Sequence, residues 1–74
     1  MNKQQIEKDL IKKMAIDLNM SLRFMTKHVK QDTDYSVEMY ESAKTLYIRT
    51  LETVMELDLM SKVTYYRNNN LKAV

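Results

Sequence analysis

The chain contains no glycine and no proline, and this double absence limits its possible folds more than any motif does. Average usage of about 7% Gly and 5% Pro would put several of each in a chain of this length. Tight hairpin turns draw on Gly for positive φ, and loops draw on both residues. A sheet-rich fold is therefore not expected, and nearly all of the chain should be helix. The same absence removes the Gly-rich loops that cradle nucleotide phosphates.

Helices must bury one face against something, and 74 residues provide little to bury it in. One small domain, 1–74, is expected. Below roughly 70–80 residues a lone core rarely supplies more than about 3–5 kcal/mol. With no Cys, disulfides and thiolate metal ligation cannot add to that. The single His28 and the scattered carboxylates show no metal-ligand spacing. Self-association is the supplement that remains, and no cofactor is expected. Catalysis needs a nucleophile with its base, paired carboxylates in a cleft, or a metal. None is visible, so an enzyme is not expected. No apolar run approaches the roughly 18–20 residues that span a bilayer, and the N-terminus lacks a signal peptide's apolar core. The expectation is a cytoplasmic protein with no membrane partner.

The most informative stretch is Met14–Val29, M-A-I-D-L-N-M-S-L-R-F-M-T-K-H-V. It reads as two short helices meeting at a corner. Ala15 is small where a second helix must cross, and Met14, Leu18, Met20 and Met25 fill the wedge. Asn19 readily takes the left-handed turn conformation, and Ser21 offers an oxygen to the free N–H groups of the next helix. Two other patterns coexist in the same residues. Positions 16–24 alternate apolar and polar with a strand-like period. Ile6, Leu10, Met14, Leu18, Leu22, Met25 and Val29 recur every three or four residues, as in one continuous amphipathic helix.

No acidic residue occurs from Met20 to Gln31, whereas Arg23, Lys27 and Lys30 are cationic. Ala15, Leu18, Asn19, Met20, Ser21, Phe24, Met25, His28 and Val29 stand in an order that resembles the helix-turn-helix class of DNA-binding regulators, over residues 11–31. Asn19 takes the place of the usual Gly. The resemblance implies a small dimeric DNA-binding transcriptional regulator, with Ser21, Arg23, Thr26, Lys27 and Lys30 facing the major groove and its flanking phosphates. Arg23 would read a base, with Thr26 next, while Lys27 and Lys30 would supply phosphate affinity. His28 falls where the motif packs back into the domain, which suits a half-buried structural role.

Asn2 is the expected cap of the first helix. The polar segment 32–36 is the expected loop, with Asp34 or Ser36 capping the next helix. No breaker appears over 37–67, and a continuous helix there would be about 50 Å long. Nearly every face around Val54–Met60 is apolar, so Tyr47, Leu51, Val54, Met55, Leu59 and Val63 are expected to pair two chains as a homodimer. The alternative is a break near Asp58–Ser61. Residues 68–74 read as a frayed tail, and Tyr65 and Tyr66 as interface anchors. Charge is divided along the chain. Residues 1–30 carry seven Lys/Arg against three Asp/Glu, a net +4, and residues 31–74 carry five against seven, a net −2. The expected architecture is all-α: an N-terminal helix-turn-helix or helical hairpin, then a long C-terminal helix, in a dimeric bundle.

A second function comes from a different class. A helical protein-binding module, such as an inhibitor, anti-activator or adaptor of a larger host protein, would make no nucleic-acid contact. It would use Leu22, Phe24, Met39 and Met60 as contact residues. The Lys, Asn, Ile and Met bias is similar to that of small proteins of AT-rich bacteria and their phages. The two functions differ most in the chain path from Leu18 to Leu22.

Overall fold

A computed structural model of the chain describes residues 2–71. It contains three α-helices and, among the described residues, no strand. Helix α1 (Lys3–Lys27) begins at Asn2, whose extended backbone and side-chain Oδ1, accepting from the Gln5 N–H at 2.9 Å, form the N-cap.

The helix then runs through Asn19 without turning, so the corner expected there is absent. Two hydrogen bonds account for this. Asn19 is buried within α1, and its Oδ1 accepts from Arg67 Nε at 2.6 Å. Ser21 caps nothing; its hydroxyl donates to the Asp17 carbonyl at 2.6 Å, one turn back in the same helix. Both residue types favour turns because they hydrogen-bond the backbone or tolerate left-handed φ. Here one is held by a distant arginine and the other by its own helix.

At its C-terminus α1 closes with the His28 N–H donating to the Phe24 carbonyl at 3.0 Å, and Gln31 turns the chain at φ 50°. Helix α2 (Asp34–Glu56) is capped by Thr33, whose Oγ1 accepts from the Ser36 N–H at 3.0 Å. The cap thus lies ahead of the expected Asp34 or Ser36, and the connection is 28–33 rather than 32–36. Thr33 wins because its backbone is already extended (φ −134°, ψ 159°), which leaves Asp34 free to sit at the positive end of the helix dipole.

The long helix expected over 37–67 is broken in two. Asp58 takes φ 56°, Leu59 N–H donates to the Val54 carbonyl at 2.9 Å, and Asp58 N–H donates to the Met55 carbonyl at 3.1 Å. This six-to-one and five-to-two pair is a Schellman closure with Asp in the usual glycine position. Its accompanying apolar contact is present, because Val54 and Leu59 are both buried in one cluster. Helix α3 (Met60–Asn70) follows. It carries the Asn run as helix through Asn70, so the frayed tail expected from residue 68 does not begin there; positions 72–74 of that expectation, like Met1, lie outside the described residues.

The core joins Met14, Ala15 and Leu18 of α1 to Val54, Leu59 and Val63, with Leu10, Ile11, Tyr47, Leu51, Tyr66 and Leu71 partly buried around it. Ala15, fully buried, lets a neighbour cross close to the backbone. Helices α2 and α3 pack mainly on α1 and only slightly on each other. The molecule is elongated, 46 × 22 × 20 Å. Of the six residues expected at a dimer interface, Val54, Leu59 and Val63 are buried inside this single chain and Tyr47 and Leu51 pack against them. Met55 alone of the six is exposed. The burial that a second chain was expected to provide is supplied by α1.

Candidate interaction surface

On a straight helix each residue advances 100°, so Ile16, Met20 and Phe24, four apart, line one face, and Arg23 and Lys27 run beside them. The face opposite to it carries Met14, Leu18 and Ser21 into the fold. Met20 is 47% and Phe24 38% exposed, large values for apolar side chains in mid-helix. Met20, Arg23, Phe24 and Lys27 line a shallow recess of about 270 Å³. It adjoins a second recess of about 190 Å³ between Ile16, Asn19, Met20, Arg23 and Leu71. The site is an apolar ridge with cationic neighbours.

Its electrostatics follow from how the charges of α1 are already used. Lys13 pairs with Asp17 at 2.9 Å within the helix, and Lys62 of α3 pairs with Glu7 at 2.6 Å. Among the described residues neither Arg23 nor Lys27 has an ion-pair partner. Both are exposed. The last acidic residue of α1 is Asp17, so an external carboxylate or phosphate meets no acid of the same helix beside Arg23 and Lys27.

The five residues expected to face DNA divide. Arg23, Thr26, Lys27 and Lys30 are on the surface. Ser21 is not: it is 1% exposed, on the packed face, with its hydroxyl committed to Asp17. Thr26 donates to the Leu22 carbonyl at 2.8 Å. Lys30 lies beyond the helix, in the 28–33 connection. His28 is half-buried and meets Tyr35 edge-on, with ring centroids 5.7 Å apart, bracing the connection between α1 and α2.

Of the residues expected to contact a protein partner, Phe24 and Met60 are exposed, while Leu22 and Met39 are half-buried. Met20, expected in the interior of a wedge, is a surface residue. Its four-residue spacing from Ile16 and Phe24 is the signal that identifies it. Among the described residues there is no cluster of three His, Cys, Asp or Glu able to hold a metal, and no helix is long and apolar enough to cross a membrane. Comparison with protein-family models, with curated proteins and with solved structures finds no match to this chain.

Proposed function

We propose that this chain is a helical protein-binding module, acting in the cytoplasm as an inhibitor, anti-activator or adaptor of a larger protein. Met20 and Phe24 seat in an apolar recess of that partner, and Arg23 and Lys27 engage carboxylates at its rim. The observation that supports this reading is the ridge of exposed Met20 and Phe24 with half-buried Ile16 on an unbroken helix, flanked by two cations that have no ion-pair partner among the described residues. An amphipathic helix laid into a groove reads its partner through residues at such spacings. Exposed aromatic and Met side chains beside Arg are also the composition enriched in interface cores. The test is capture of a partner from nuclease-treated lysate by the wild-type chain and by a Met20→Glu, Arg23→Glu variant of unchanged helicity. Capture that survives nuclease and is lost in the variant is the expected result. Capture abolished by nuclease, or retained by the variant, overturns the reading.

The second reading, a dimeric DNA-binding regulator, draws support from Arg23, Lys27 and Lys30, all exposed at one end of the molecule. It requires α1 to be presented lengthwise to the duplex, without a corner at Asn19 and without Ser21. Fluorescence anisotropy on labelled duplex decides it. Binding whose logarithmic salt slope falls by roughly 0.9 for each phosphate contact removed, as in Lys27→Ala, would favour DNA. No binding at low salt removes it.

A further inference from the structure

The opposite half of α1 forms a second surface, separate from the Met20 and Phe24 ridge. Between it and α3 lies a groove of about 600 Å³, with Ile11, Tyr65 and Tyr66 in its walls and Lys8, Lys12 and Lys62 along its edges. Tyr65 is 69% exposed. No α2 residue lines the groove. The cationic edge is partly offset, since Asp9 also lines the groove and Lys62 is held by Glu7, while Lys8 and Lys12 have no ion-pair partner among the described residues.

The surface that complements this groove is on the same chain. Helix α2 packs inward through Ala43, Thr50 and Val54. By helical period Ile48, Glu52, Met55 and Glu56 therefore form a contiguous outward patch. Ile48 is 43% and Met55 63% exposed. Over its length α2 carries five acidic against two basic side chains, a net −3, and α1 carries six basic against three acidic, a net +3.

We infer that the chain associates with further copies of itself head to tail, the acidic outer face of α2 in one copy lying in the cationic α1–α3 groove of the next. Ile48 and Met55 cover Ile11 and Tyr65, and Glu52 and Glu56 meet Lys8 and Lys12. The two contacting patches are different surfaces of one molecule. The contact is therefore heterologous, and it leaves one groove and one α2 face free at the ends of any open assembly. A small core also gives such association a thermodynamic role, since burial between copies supplements what one copy lacks.

Sedimentation velocity over a wide concentration range tests this with two variants at exposed positions. Tyr65→Glu places in the groove a charge that repels the incoming Glu52 and Glu56, and Ile48→Lys places on the α2 face a charge that repels Lys8 and Lys12. The wild type should rise to twice the monomer mass or more at low salt and fall back at high salt, where exposed charges are screened. Each variant alone should stay monomeric with unchanged helicity. An equimolar mixture of the two should form a discrete one-to-one dimer, because only the intact groove of one can receive the intact α2 of the other. A wild type that stays monomeric throughout overturns the inference. So does a single variant that still associates, or a mixture that fails to pair; the last would mean a symmetric contact or none.

Discussion

Two regions of the α1–α2 hairpin are made from the same pair of helices and bury very different fractions of themselves. Where α3 folds back, Met14, Ala15, Leu18, Val54, Leu59 and Val63 close into one buried cluster. At the other end, from Leu22 to Ser42, no residue is buried, and Phe24, Val29, Tyr35 and Val37 stay at the surface. Two helices in contact share one seam and leave the flanks of that seam wet. A third helix covers a flank and turns half-buried side chains into buried ones. The distal hairpin thus combines weak packing with an uncovered apolar surface, a combination expected of a segment completed by another molecule.

The largest effect that tests this contrast is a matched pair of truncations. Leu18→Ala removes a side chain that is 1% exposed and should cost about 2–5 kcal/mol. A core of this size rarely provides more than about 3–5 kcal/mol, so that variant should be largely unfolded by circular dichroism at room temperature. Met25→Ala, at the half-buried distal seam, should cost about 1 kcal/mol in urea denaturation, because its side chain is already partly hydrated. Equal costs would remove the distinction between the two ends. Amide exchange follows the same gradient: amides of residues 22–27 and 35–42 should exchange well before those of 10–19 and 50–56, through local opening that leaves the three-helix cluster intact.

The next effect concerns how the two ends use polar side chains. Asn19→Ala takes a part-buried acceptor from Arg67 and should destabilise by about 1–3 kcal/mol. Thr26→Ala, whose hydroxyl bonds the Leu22 carbonyl on an exposed face, should change stability by less than about 0.5 kcal/mol. Thermal melts of both variants at matched concentration measure the ratio. An Asn19 variant as stable as the Thr26 variant would mean that the long-range hydrogen bond contributes nothing net, and that another cause keeps α1 straight.

These residues also show what the sequence made legible. The helical content, the Asn2 cap, the Met14 and Leu18 stripe and a possible break near Asp58 all rest on local chemistry, and local chemistry is written in consecutive letters. The path at Asn19 is not local. Asparagine is equally suited to ending a helix and to accepting a hydrogen bond inside one, and the deciding partner, Arg67, is 48 positions away. One misplaced corner then shifts everything after it. With a turn at Asn19, Ser21 faces out and Met20 in. On a straight helix Ser21, three residues beyond Leu18, returns to the packed face, and Met20, two beyond, swings about 200° to the surface. The need to bury Val54, Leu59 and Val63 was likewise legible, but the identity of the covering helix was not, because the letters do not distinguish α1 of the same chain from a helix of a second one. The exposed cations of the candidate site were legible for the opposite reason: charge without a nearby acid is a local property, and Arg23, Lys27 and Lys30 are exposed.

The smallest effect compares the corners that bound the two regions. Lacking glycine, the chain reverses at Gln31 (φ 50°) and Asp58 (φ 56°), in a region that costs most residues roughly 1–2 kcal/mol and costs Asp less. Glycine would relieve that cost, but its freedom in the unfolded chain takes back about 0.4–1 kcal/mol. Gln31→Gly should therefore stabilise by about 0.5 kcal/mol, whereas Asp58→Gly should be close to neutral, since the short carboxylate already tolerates left-handed φ. Urea midpoints of the two variants read the difference directly. A larger gain at Asp58 would place the greater backbone strain at the well-packed end, and the contrast between a settled three-helix cluster and an unfinished hairpin would have to be redrawn around the Val54–Leu59 closure.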